Sequence, residues 1–184
     1  MQKLIAFLRA INVGGHIVTM EKLRGFFEEL GCKDVETFIA SGNMIFTSSS
    51  KNINALEQKI EGHLHKSLGY EVKTFIRTES ELAAIAQYKP FKESQLQSAK
   101  ALNIAFLTEP LDTKATKSLM TLRTAIDDFH VRGREVYWLC KKGQSDSKFS
   151  NALFERTLNV RATLRGMNTV AKLAAKYAQS QEAT

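Results

Sequence analysis

The sequence predicts an α/β chain of the α+β kind: a tandem duplication of two ferredoxin-like βαββαβ units followed by a C-terminal helix. Three observations predict it. Ile5-Ala6-Phe7-Leu8 recurs letter for letter as Ile104-Ala105-Phe106-Leu107. Two hairpin signals, centred on Gly42 and Gly133, follow those runs in the same order. Asn54-Ala55-Leu56 and Asn151-Ala152-Leu153 then open a helix-period segment in each half, and matches recurring in one order favour duplication over chance. The predicted boundaries are 1–78 for the first unit, 79–100 for a helical junction and 101–184 for the second unit with its final helix, all within the reach of one compact domain.

Taken in order, residues 3–9 read as a buried strand, because an apolar run closed by Arg9 and by Asn12-Val13-Gly14-Gly15 is too short for a helix. Thr19 is an N-cap, Glu21 suits the first turn, and Leu23, Phe26, Phe27 and Leu30 repeat at helical spacing up to Gly31. Residues 35–40 and 44–47 form a hairpin around Ser41-Gly42-Asn43. Ile53, Leu56, Ile60, Leu64 and Leu68 mark a helix over 52–68, and residues 71–76 complete the first β-α-β-β-α-β order. A short helix over 80–88 breaks at Pro90. The second half follows with a strand at 104–107, a helix over 112–122, and strands at 127–131 and 135–140. A last helix over 168–179 packs Val170, Leu173, Ala174 and Tyr177 inward.

At an offset of 91, Phe38, Gly42, Ile45 and Phe46 align with Phe129, Gly133, Val136 and Tyr137, whereas the first strands align at 99. The first half therefore carries about eight extra residues before its hairpin, assigned to residues 11–18. Insertions at strand ends are common places for function.

Composition narrows the classes. A chain of 184 residues with 43% hydrophobic and 24% charged side chains is a folded protein, and it holds no apolar run long enough for a signal peptide or membrane span. A soluble, cytoplasmic protein without a membrane partner is expected. Cys32 and Cys140 lack C-x-x-C spacing, and no H-E-x-x-H is present, so neither a disulfide, a metal nor a cofactor is predicted. The net charge of +7 divides into +2 for residues 1–92 (12 basic, 10 acidic) and +5 for 93–184 (14 basic, 9 acidic). Such a basic half attracts anionic partners.

Four blocks resemble, in order, the bacterial family called domain of unknown function 1697. They are residues 7–15 (FLRAINVGG), 41–46 (SGNMIF), 147–151 (SKFSN) and 163–170 (TLRGMNTV). The family usually has Gly at the position of Ala10 and Asn-Trp at Gly166-Met167. The resemblance implies no reaction and lends no catalytic residue.

Two polar clusters are the candidate ligand-binding residues. Arg9, Asn12, Gly14 and Gly15, in a loop whose glycines can turn backbone N–H groups toward an anion, join Ser41 and Asn43 of the neighbouring turn. Lys148, Arg165 and Asn168 make the second, at strand and helix ends of the second half. Each has a structural alternative: positive φ for the glycines, a plain turn for 41–43, a solvated face for the basic residues. His63 and His65 point apart on a helix, and Asp127-Asp128 alternate faces at a strand start. The leading function is anionic small-molecule binding. An RNA or DNA partner is the alternative, weakened because both hairpins lack the aromatic pattern of RNA-recognition sheets. An enzyme on small anionic substrates would use Arg9, Lys148 and Arg165 for charge neutralisation but has no evident general base or nucleophile elbow.

Overall fold

The computed structural model describes residues 1–39 and 42–178. The chain is mixed α/β, with seven α-helices and two four-stranded antiparallel sheets among the described residues. It divides into two compact units: Met1–Ala83 with the described residues from Leu173 onward, and Ala84–Lys172.

The first unit runs β1 (Gln2–Leu8), α1 (Met20–Glu29), β2 (Lys33–Thr37), β3 (Asn43–Ser48), α2 (Ile53–Leu68) and β4 (Thr74–Thr78), with strand order β2-β3-β1-β4. After α3 (Glu79–Gln87) and α4 (Glu93–Ser98), the second runs β5 (Ala101–Phe106), α5 (Thr113–Met120), β6 (Asp127–Arg132), β7 (Glu135–Cys140), α6 (Asn151–Leu158) and β8 (Thr163–Gly166). Its order, β6-β7-β5-β8, repeats the first, and α7 (Met167–Tyr177) follows. Residues 40, 41 and 179, which fall in an expected strand, turn and helix end, lie outside the described residues.

Local chemistry explains the boundaries. Thr19, Asn52, Asp112 and Ser150 cap four helices, each side-chain oxygen accepting from a backbone N–H three residues on. Gly69 ends α2 in the left-handed conformation. Pro90 separates α3 from α4, a helix the sequence pattern did not indicate. Strand alternation then builds each core. Leu4, Ala6, Met44, Phe46 and Ile76 face Leu23, Phe27, Leu56, Ile60 and Leu64 in the first unit. Ala105, Phe129, Val136 and Trp138 pack with Leu119, Phe149, Phe154 and Leu158 in the second. The other face of each sheet is also buried, with Ile5, Phe7, Phe75 and Arg77 at 0% exposure in one and Ile104, Phe106 and Tyr137 at 0% in the other.

The strand register corrects the hairpin alignment by one residue. Ala6 sits opposite Met44 and Ala105 opposite Val136, which sets the offset between β3 and β7 at 92. A slip of one exchanges the faces of a strand. Phe46 therefore corresponds to Trp138, both on the helix side, and not to Tyr137. The helix caps give the same lesson: Asn52 and Ser150 are 98 apart, so Leu56 corresponds to Phe154 and the matched Asn-Ala-Leu letters at 97 are out of phase. Much of the length difference does lie before α1, where residues 9–19 join strand to helix against 107–112 in the second unit.

Ala10 adopts φ of 59°, a left-handed conformation in which Cβ crowds the backbone. Glycine relieves that contact. Ala10→Gly is expected to stabilise the chain by about 0.5–1 kcal/mol, read as a higher urea midpoint with an unchanged m-value; a lower midpoint contradicts the strain.

Candidate functional site

The loop after β1 is braced from within. Ile11 and Val18 are buried anchors, the Val18 N–H donates to Asn12 Oδ1 at 2.7 Å, and the Tyr70 hydroxyl donates to the Ile11 carbonyl at 2.7 Å. His16 stacks on Tyr70 with centroids 4.0 Å apart. Gly14 and Gly15 have φ of 68° and 86°, with open space where a Cβ would stand. Their need for positive φ is conformational. The helix begins only at Met20, capped by its own Thr19, so no helix start directly follows the glycines.

The turn beside that loop is braced too. Leu8 N–H donates to the Gly42 carbonyl at 2.7 Å and Arg9 N–H to the Lys73 carbonyl at 2.8 Å, bringing the ends of β1, the hairpin and β4 to one edge. Asn43 is 3% exposed, and its Nδ2 donates to the Phe38 and Ile39 carbonyls at 3.0 and 3.3 Å. Ser41 lies outside the described residues. The side-chain amides of Asn12 and Asn43 are thus bonded to backbone.

The opposite end of the second sheet has another character. Asp127 starts β6, ends 3% exposed, and its carboxylate accepts from Trp138 Nε1 at 2.9 Å, Ser147 Oγ at 2.9 Å and Thr124 Oγ1 at 2.8 Å. Asp128 instead pairs with Arg123 at 2.7 Å. The run 147–151 is therefore mostly architecture. Ser147 holds Asp127, Phe149 packs on Trp138 with centroids 4.6 Å apart, Ser150 caps α6, and Asn151 Nδ2 donates to the Ala162 carbonyl at 2.9 Å. Lys148 is exposed and has no such task.

Lys100, Lys141, Lys142 and Lys148 are all exposed at this end, and none forms an ion pair among the described residues. Arg165 is not with them. It pairs with Ile104 on the other face of the sheet, and its Nη1 donates to Thr163 Oγ1 at 2.7 Å and the Leu164 carbonyl at 2.8 Å. Burial pulls its pKa down to about 10. Arg77 sits in the same register in the first sheet, opposite Ile5, with Nη1 on the Ile76 carbonyl at 2.8 Å. Asn168, in the first turn of α7, is exposed and lines a cleft of about 390 Å³ with Lys100, Asn103 and Gln144.

Asn103 was not singled out by the sequence reading, yet a signal was present. The matched tetrapeptides place it where the first half has Leu4. The Cys32 and Cys140 thiols are buried, and desolvation raises both pKa values. Among the described residues, no group of three or more His, Cys, Asp or Glu is placed to hold a metal ion, and no helix is long and apolar enough to cross a membrane.

Residues 1–137 match the family described as "Protein of unknown function (DUF1697)". The chain belongs to the DUF1697 family. No curated protein matches it. A solved structure, that of conserved bacterial protein SP0830 from Streptococcus pneumoniae, is similar over 95% of this chain and 97% of its own, with a TM-score of 0.73 and 23% identity. At that identity the likeness shows the DUF1697 member's fold and nothing of its ligand.

The bracing makes opposite demands on two asparagines. Asn43→Ala leaves two carbonyls short of a buried donor and is expected to lose about 2–3 kcal/mol. Asn12→Ala removes one partly buried acceptor and is expected to lose about 1 kcal/mol. Chemical denaturation of both variants checks this, and an Asn43→Ala protein as stable as the parent would show that the turn does not depend on that amide.

Proposed function

We propose that this DUF1697 protein binds an anionic ligand at the basic edge of its second unit. The observation that carries the reading is the set of four exposed, ion-pair-free lysines, 100, 141, 142 and 148, at one end of one sheet. Backbone geometry holds them there: Lys100 N–H donates to the Cys140 carbonyl at 3.0 Å and Lys141 N–H to that of Ile126 at 2.8 Å. Asp146 is the exposed carboxylate among them. Four lysines against that one exposed carboxylate leave a net positive edge, which raises the local anion concentration. The Gly-rich loop, with Arg9 and Asn12, is the lesser contributor in this reading, because Asn12 Oδ1 already accepts the Val18 N–H and the Ile11 carbonyl already accepts the Tyr70 hydroxyl.

A nucleic-acid partner is the second reading and the weaker. RNA-recognition sheets stack bases on aromatics of an open face, whereas Tyr137 and Phe106 are buried at 0% exposure and Trp138 at 3%. An enzymatic role would still need a base, and the carboxylate at this edge best placed for one, Asp127, is engaged by three donors.

The duplication of a ferredoxin-like unit belongs to the same proposal. Supporting it are the shared strand order, the caps Asn52 and Ser150, and the paired positions of Arg77 with Arg165 and Glu57 with Glu155.

Calorimetric titration with inorganic pyrophosphate tests the function. Lys142→Glu/Lys148→Glu is expected to weaken binding at least about tenfold, roughly 1.4 kcal/mol, while Arg9→Ala changes it less than about twofold. Equal affinity in the parent and the double variant overturns the reading.

A further inference from the structure

We propose that the cleft at the β5–β8 end of the second sheet binds a short monocarboxylate that carries an apolar tail. This deepens the anion-binding reading and rests on it, since the lysine-rich edge supplies the attraction. The cleft encloses about 390 Å³, within the size range of small-ligand sites. Its polar lining is made of side chains that donate: Lys100, Asn103, Gln144 and Asn168. Leu96, Leu102, Leu139 and Met167 form apolar wall. No acidic side chain lines it among the described residues, and Lys100 is its single charged group.

Asn103 is the decisive residue. It lies on the helix-facing side of β5, opposite Trp138 and Gly166, in the register that Leu4 occupies in the first sheet. Leu4 is fully buried in an apolar core, so this position accepts leucine. An asparagine there, 5% exposed, keeps a polar group where the fold does not call for one. Its Oδ1 accepts from Gln144 Nε2 at 2.9 Å, while its buried Nδ2 has no hydrogen-bond partner. A buried donor left unmet in a cleft wall is a group waiting for an acceptor.

Gln144 is exposed, sits on the 3-10 turn Gln144–Asp146 and lies against the Asn103 amide in the cleft lining. A carboxylate matches this donor set. It accepts from the Asn103 and Gln144 amides, one negative charge meets one lysine, and the tail lies on leucine and methionine. A phosphate would meet neither an arginine nor a glycine-rich nest in the lining. A neutral alcohol would leave Lys100 without a counter-charge.

The test titrates the full chain with hexanoate, hexanol and inorganic pyrophosphate, following backbone amide shifts and affinity, in the parent and in Asn103→Leu. The expected result is hexanoate-dependent shifts at residues 100–103, 144 and 166–168. Asn103→Leu should bind hexanoate at least tenfold more weakly, with pyrophosphate affinity and melting temperature preserved. Should Asn103→Leu fail to fold, Lys100→Gln carries the test, with an expected loss of at least fivefold in hexanoate affinity and none for hexanol. Hexanol binding as tightly as hexanoate, or unchanged hexanoate affinity in the variants, overturns the proposal. If pyrophosphate binds in a Lys148-dependent way and hexanoate does not bind, this proposal fails while the broader anion reading stands. If neither binds, both fail.

Discussion

Two buried glutamates fix the geometry on which both units depend. In α2, Glu57 is 2% exposed and its Oε1 accepts the Ile76 N–H of β4 at 2.7 Å. In α6, Glu155 is 7% exposed and accepts the Ala162 N–H, just ahead of β8, at 2.9 Å. A buried carboxylate loses several kcal/mol of hydration and stays only where it is well bonded. Each of these ties the second helix of its unit to the last strand, or to the residue just ahead of it, through a buried side-chain-to-backbone hydrogen bond. The helix cannot rotate about its axis without breaking that bond. The sheet edges where loops converge are positioned as a consequence.

The same principle governs the polar residues of the loops and turns. Asn12, Asn43, Ser147, Ser150 and Asn151 all direct side-chain oxygen or nitrogen at backbone or at a buried carboxylate. Polar residues in loops are easily read as binding residues, since loops carry function. In this chain most of them satisfy orphan backbone groups that would otherwise be buried unpaired. The lysines that have no such work mark the surface proposed for a partner.

Much of the fold was legible because local signals agreed. Thr19 marks the start of α1 as its N-cap, the expected ranges 52–68 and 112–122 begin at the caps of α2 and α5, and Leu23, Phe26 and Phe27 give the buried stripe of α1. Register was harder. Letters that match between halves can lie one residue out of phase, and only the pairing of Ala105 with Val136 fixes which face Tyr137 and Trp138 occupy. The short helix α4 escaped because its capping interaction, with Lys92 N–H donating to Gln95 Oε1 at 3.0 Å, uses a residue that is not a usual N-cap. The site was least legible. Arg165 and Lys148 look alike as basic residues, and burial alone separates the guanidinium bonded to Thr163 from the exposed amine.

Asn12 and Asn43 brace the β1 end of the first unit, and the proposed partner site is the lysine-rich end of the second sheet. Backbone amide shifts mapped during a titration with inorganic pyrophosphate test it most directly. Shifts are expected to concentrate at residues 100, 141–142 and 148, around the four exposed lysines. Shifts concentrated at residues 9–15 and 42–43, with the lysine-rich end silent, would contradict it.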